Sequence, residues 1–350
     1  MAYTTINKPT DHFNTVLYTG DGTTSNSITG VGFQPDFTWI KARDGATSYY
    51  HYLQDAVRGS LNVIFTNNSD AEVTYTQSVK SFDSDGFTTG DQQATNDNGD
   101  NFVAWNWLAG NSTSTNTDGS ISSTVSVNTT AGFSIVSYTG TGSNATVGHG
   151  LGTEADMVII RNRDISAPMW VSNRAIGFTK QVRLNQNNQI QTESSVFNNT
   201  APTSTVFSVG TNSGSNGSGN DLIAYCFAEK KGYSKFGTYT ANADTDGPFV
   251  YTGFKPAFII AKNTTIAQTW IMLDNKRDSF NEVSKLLAPN TANLESDSSG
   301  NAGTDFLSNG FKIRAVSTGD LNYSSGHEYL YMAFAEAPLV GTNDIPATAR

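Results

Sequence analysis

Gly30-Val31-Gly32-Phe33-Gln34-Pro35-Asp36-Phe37-Thr38-Trp39-Ile40-Lys41 follows Tyr18-Thr19-Gly20, and the pattern recurs twice. Tyr138-Thr139-Gly140 and Tyr239-Thr240-Ala241 restart it, and each Tyr is followed fourteen residues later by a Gly (Gly32, Gly152, Gly253). Gly253-Phe254-Lys255-Pro256 repeats the turn. An apolar run ending on a cation follows each time: Phe37–Lys41, Met157–Arg161 and Phe258–Lys262. Each copy closes on another apolar run: Val103-Ala104-Trp105-Asn106-Trp107, Ile223-Ala224-Tyr225-Cys226-Phe227 and Leu330-Tyr331-Met332-Ala333-Phe334. The first two copies keep an offset of 120, while the third is offset by 221 at its start and 227 at its end. Repeated blocks in one order mean one unit written three times.

The unit reads as strands. Large apolar residues alternate with small ones in the closing runs, and Asn-Gly and Asp-Gly turns punctuate the rest. Seven or eight short strands per roughly 100 residues is the count of a β-sandwich, whereas a propeller blade needs only about 40–50 residues. The expectation is all-β, with three tandem β-sandwich repeat domains of jelly-roll or lectin-like type: 1–112, 132–231 and 232–337. Residues 113–131, rich in Ser, Thr and Asn, form a linker, with Ser120–Val127 able to make an edge strand; 338–350 form a tail. Only Phe280–Leu287 reads as helix.

Composition excludes several classes. The chain has 350 residues, 15% of them charged, and a net charge of −10; globular chains average about 25% charged. Nucleic-acid binding needs a basic field, so that partner is excluded. One cysteine, Cys226, cannot build a disulfide framework. No apolar run approaches the roughly 18–20 residues of a membrane span, and residues 1–6 lack a signal-peptide pattern. Synthesis in a cytoplasm without membrane insertion is expected.

Candidate chemistry is sparse. Jelly-roll glycosidases of the laminarinase type carry Glu-x-Asp-x-(x)-Glu on one strand; Glu154-Ala155-Asp156 lacks the third carboxylate. His149, in Gly148-His149-Gly150, reads as a turn residue, and Cys226 as a small core residue. Asp83-Ser84-Asp85-Gly86 and Asp244-Thr245-Asp246-Gly247 open like calcium loops, but residue twelve from Asp83 is Ala94 where a bidentate Glu is required. No catalytic residue, cofactor or metal ligand is therefore assigned. Lys41, Arg161 and Lys262 are expected as exposed partners of Asp44, Asp164 or Asp274. Aromatic faces stack on sugar rings, which makes Tyr49, Tyr50, Tyr52, Trp170 and Trp270 the glycan-binding candidates; core packing is the competing and favoured reading.

Phe13-Asn14-Thr15-Val16-Leu17-Tyr18-Thr19-Gly20 with Gly30–Phe37, Ser134–Gly152, and Met332–Pro338 through Thr348-Ala349-Arg350 resemble a repeat domain of bacteriophage proteins, especially from phages of marine bacteria and cyanobacteria. The middle copy departs from it at Thr153-Glu154-Ala155. The resemblance implies a non-enzymatic virion protein on the particle exterior, tail-fibre-like. Its implied partners are other tail or capsid proteins, further copies of itself, and host surface glycans or another receptor. Alternatives are a capsid decoration or tail-scaffold protein without ligand and, third, a polysaccharide depolymerase.

Overall fold

The computed structural model describes residues 3–315 and 320–340. The chain is all-β: antiparallel sheets joined by loops, with helical turns of only three or four residues. In the first third, a six-stranded sheet runs in the order Phe13–Thr19, Asn101–Trp107, Phe37–Ala42, Tyr52–Asp55, Asn62–Phe65, Val73–Thr74. A three-stranded sheet (Asn26–Thr29, Gly86–Thr89, Val79–Asp83) covers one of its faces. In the other thirds the same central trio recurs: Phe133–Thr139, Asp221–Phe227 and Met157–Asn162, then Ser234–Thr240, Glu328–Pro338 and Phe254–Asn263. Registers agree as well: Phe13, Phe133 and Ser234 sit opposite Trp107, Phe227 and Phe334.

Side chains alternate across a strand, so each closing strand serves two cores. Ala104, Ala224 with Cys226, and Tyr331 with Ala333 face separate cores, one per third. Trp105 with Trp107, Tyr225 with Phe227, and Met332 with Phe334 face a single central core that draws on all three thirds. Rings meet there across the boundaries: Phe37 with Tyr225 at 4.7 Å, Phe13 with Phe334 at 5.0 Å and Phe227 with Phe334 at 6.1 Å. Burying each such ring contributes roughly 1.5–3 kcal/mol, so the largest apolar face of each sheet is spent on its neighbours. A cavity of about 30 Å³ remains, lined only by apolar surface from all three thirds, including Trp39, Tyr225 and Met332. That is about one water's volume without the polar partners a water needs.

The ends of the circuit meet. Tyr3 donates to Gly253 O (2.7 Å) and Thr4 to Lys231 O (2.7 Å). A Cβ on Gly232, which has φ +78°, would press on both Thr4 and Pro338.

Two expectations change. Phe280–Leu287 is not helical. Val283 bridges to Thr304, Lys285–Leu286 pairs with Ser296–Asp297, and Leu287 bridges to Met272. An eight-residue run is too short to sustain a helix by itself, and Asp278 takes the Ser284 N–H (3.0 Å), fixing an extended start. Nor is 113–131 an open linker: the strand expected within it forms over Ser123–Asn128, beside a second short one. Ser114–Asn116 and Ser123–Asn128 form a hairpin that extends the middle sheet, Ser123–Asn128 pairing with Phe133–Thr139. Ser123 Oγ donates to Gly148 O (2.8 Å), and Ile121 bridges to Val147. The proposed tail lies outside the described residues beyond Val340.

Candidate functional site

Chemistry-bearing side chains gather at the joints between thirds. Asp55 ends the strand Tyr52–Asp55 and folds back on its own loop. Its Oδ1 accepts from Val57 N (3.0 Å) and Arg58 N (2.9 Å), an Asx-type turn. Its Oδ2 accepts Arg58 Nε (2.5 Å) and, from the middle third, the Tyr225 hydroxyl (2.8 Å). Arg58 also donates to Leu53 O (3.0 Å) and to Glu72 (2.8 Å), and Glu72 receives two bonds from Arg163 of the middle third (3.0 and 2.7 Å). The Asp55 and Arg58 side chains are fully buried. Burial opposes the Arg58 charge, but Asp55 and Glu72 outweigh it and push its pKa up. Burial likewise opposes the Glu72 charge, and the two arginines hold it below the usual carboxylate range.

Between the third and first thirds the arrangement repeats. Asp274 accepts Lys276 N (3.0 Å), Arg277 N (2.9 Å), Arg277 Nε (2.5 Å) and the indole N–H of Trp105 (3.1 Å). Arg277 reaches Glu295 (3.2 Å), which takes two bonds from Arg43 (both 2.9 Å). The joint between middle and third differs. Asn173 stands in the Asp position, Ile176 in the Arg position, Ile190 and Thr264 in those of Glu72 and Arg163, and Met332 in that of Trp105 and Tyr225. Asn173 Oδ1 still accepts Ala175 N (2.6 Å), while its Nδ2 is buried without a partner among the described residues. Ile176 and Ile190 pack against the central core. One backbone bond is common to all three joints: Glu72 N to Arg163 O (2.7 Å), Ile190 N to Thr264 O (3.0 Å) and Glu295 N to Arg43 O (2.8 Å).

The repeated cations are a correction. Lys41, Arg161 and Lys262 are buried and bond backbone carbonyls, not the expected carboxylates. Lys41 holds Tyr49 O (2.9 Å) and, across the joint, Ala292 O (3.1 Å). Arg161 holds Ala167 O (2.5 Å), Asn68 O (3.3 Å) and Asp70 O. Lys262 stays within its own loop, on Asn263 O (2.6 Å) and Ile266 O (3.4 Å). Burial pushes Lys41 down to about 8, Arg161 to about 10 and Lys262 to about 7.

Most of the glycan candidates are not presented to solvent. Trp170 and Trp270 differ by one residue in strand position, and a one-residue step changes the face. Trp170 is buried in the middle third's own core, with the Arg183 guanidinium 4.8 Å from its ring centroid. Trp270 is buried in the central core and donates to Arg183 O (2.9 Å). Tyr52 is buried against Phe65 (5.1 Å) and its hydroxyl accepts from Gln92 (3.1 Å). Tyr49 is half-buried and bonds Asp97 (2.8 Å). Tyr50 alone of the five is exposed, at 44%.

The other residues singled out are structural. Cys226 is buried, and burial pushes its thiol pKa up. His149 is buried; its ring contacts Thr203 O (3.1 Å) and accepts Leu151 N (3.1 Å). Asp156 accepts Glu229 N (2.7 Å) as Asp36 accepts Ala109 N (2.7 Å), tying a turn to the closing strand. Asp85 accepts Gly30 N and Gly32 N. Among the described residues no group of three or more His, Cys, Asp or Glu side chains is placed to hold a metal ion.

One recurring residue escaped the reading of the sequence. Asn96, Asn216 and Asn322 are fully buried and pin the loop after the opening strand through the side-chain amide. Asn96 Nδ2 reaches Thr23 O (3.0 Å), Asn216 Ser143 O (2.6 Å) and Asn322 Asp244 O (2.7 Å). The 120-residue spacing of Asn96 and Asn216 was the available signal, hidden in an Asn-rich background.

The chain belongs to DUF7483. That family, described as a domain of unknown function, matches residues 8–338. No curated protein and no solved structure matches the chain. The DUF7483 span thus includes every residue of the joints, from Arg43 to Met332.

Proposed function

We propose that this DUF7483 chain is a non-enzymatic structural protein on the exterior of a bacteriophage particle, built from three copies of one β-sandwich that assemble as an internal trimer. The observation that carries the reading is the ring of joints: one backbone bond repeated three times, around a core to which every copy gives its aromatic face. A closed heterologous ring is how separate subunits make a trimer; here covalent linkage supplies the partners at high effective concentration. Of the residues that the sequence singles out, Lys41, Arg161 and Trp270 bond across a joint.

As a tail-fibre or appendage protein it would contact host surface glycans, with Tyr50 the exposed candidate. A second reading is favoured by the pseudo-threefold ring: a decoration protein placed where the particle itself has local threefold symmetry. Cryo-EM of the intact particle tests both. Density on the tail supports the fibre, and density on the shell at a threefold position supports decoration. Absence of the chain from purified particles overturns both. Labelled protein that binds host cells, and ceases to bind as Tyr50→Ala, supports the glycan role. Release of reducing ends from host polysaccharide would refute the non-enzymatic reading.

A further inference from the structure

In the third copy, a corner that the other copies close with a capping Asp is built differently. Ala257 replaces Asp36 and Asp156, and Lys255, Asn275 and Glu336 converge there. The Glu336 carboxylate is the meeting point. Its Oε2 accepts Asn275 Nδ2 at 2.8 Å and lies 3.5 Å from Lys255 Nζ. A bulge aims it: Lys255 pairs with Ala337 and Pro256 with Ala335, so Glu336 is the extra residue between them. Asn275 is brought alongside by its N–H on Ala257 O (2.9 Å). Asn275 is 2% exposed and Lys255 9%, and Asn275 Oδ1 is buried without a donor among the described residues. Beside Asn275 and Glu336 lies a cavity of about 40 Å³, lined also by Thr15, Ala257 and Lys276, enough for one water-sized molecule.

We infer that Lys255 and Asn275 become joined by an intramolecular isopeptide bond, with Glu336 carrying the proton. The Lys255 amine and the Asn275 amide share one Glu336 oxygen, which makes the amine an intramolecular nucleophile of high effective concentration. Glu336 takes a proton from the Lys255 ammonium. The free Nζ attacks Asn275 Cγ, and the C–Nζ bond forms as the Cγ–Nδ2 bond breaks. Glu336 returns the proton to the departing nitrogen, which leaves as ammonia and takes up the second Nζ proton as ammonium. No oxidant, cofactor or metal enters the balance. The adjacent cavity is the size of the leaving group. Neither other copy can do this, since the corresponding positions hold Gln34, Ala56 and Ala109, or Glu154, Arg174 and Glu229. The bond would tie the strand Phe254–Asn263 to the loop after Ile271–Asp274.

Intact-mass spectrometry of the denatured full-length chain tests this. The wild-type chain should weigh less than its sequence by one ammonia, and digestion should release one branched peptide holding Lys255 and Asn275. Lys255→Ala, Asn275→Ala and Glu336→Gln should each restore the full sequence mass. Asn275→Asp should lose water in place of ammonia, and Lys276→Ala, on the rim of the same cavity, should still lose ammonia. A wild-type chain at full sequence mass after prolonged incubation overturns the inference, as does ammonia loss that persists in Lys255→Ala. The wild-type mass decides even where a variant fails to fold.

Discussion

The joint between the third and first thirds and the joint between the middle and third solve one packing problem with opposite chemistry. At the first, Asp274, Arg277, Glu295 and Arg43 form an ionic chain, fully buried at Asp274 and Arg277 and half-buried at Glu295 and Arg43, with Trp105 donating to Asp274. At the second, Asn173, Ile176, Ile190, Thr264 and Met332 stand in the same five places, with no charge among them. All five positions change together, and the backbone bond beneath them does not. The difference shows that the backbone geometry holds with either set, and that the side chains work as a unit. A buried ion pair can be exchanged whole for apolar packing at little cost, whereas removal of one partner leaves an uncompensated charge.

Breaking the ionic joint should have the largest effect. Asp274→Ala removes the acceptor of Arg277 Nε, of two backbone N–H groups and of the Trp105 indole, leaving Arg277 with Glu295 and Met272 O, and should cost about 3–5 kcal/mol, read as a lowered guanidinium chloride midpoint; a loss below about 1 kcal/mol would mean the joint is solvated. Next comes the hydrogen bond across a joint. Tyr225→Phe removes the hydroxyl donated to buried Asp55 and should cost about 1.5–3 kcal/mol, while Met332→Leu at the equivalent place should cost less than about 1.5 kcal/mol. Equal losses in the two variants would erase the distinction between the joints. Transplanting the whole apolar set into the ionic joint (Asp274→Asn, Arg277→Ile, Glu295→Ile, Arg43→Thr and Trp105→Met together) should cost less than Asp274→Ala alone. A fivefold variant less stable than the single one would show that the residues act separately.

A further prediction concerns pH. Among the described residues Lys262 bonds only within its own loop, and burial pushes its pKa down to about 7. Its unfolded value is about 10.4. Between those values the unfolded chain binds the extra proton, so stability rises with pH across that window, and the penalty for burying the charge is complete below it. Lys262→Met should flatten that part of the stability–pH curve. A slope unchanged between pH 7 and about 10.4 would show that the lysine is solvated.

The repeat was legible in the sequence because turn and strand chemistry are local: Tyr18, Tyr138 and Tyr239 mark it, and alternation in Trp105-Asn106-Trp107 shows one large face and one small. Which face meets which partner was not legible, since alternation fixes two sides without naming what lies beyond either. Hence Trp170 and Trp270, one residue out of phase, went to different cores. Lys41, Arg161 and Lys262 were misplaced for a related reason. A cation after an apolar run is normally solvated, and carbonyls supplied by a neighbouring loop leave no mark in local sequence. The switch of Asp55 and Asp274 to Asn173 was visible, but its meaning depended on knowing that Tyr225, Trp105 and Met332 face those positions.

The meeting of Thr4 and Pro338 at Gly232 has a consequence for engineering. Phe13 of the first opening strand also stacks on Phe334 of the last closing strand, so both ends of the described chain rest on the same core. A chain rejoined across that contact and opened at another joint should pack the same core from the same thirds in rotated order.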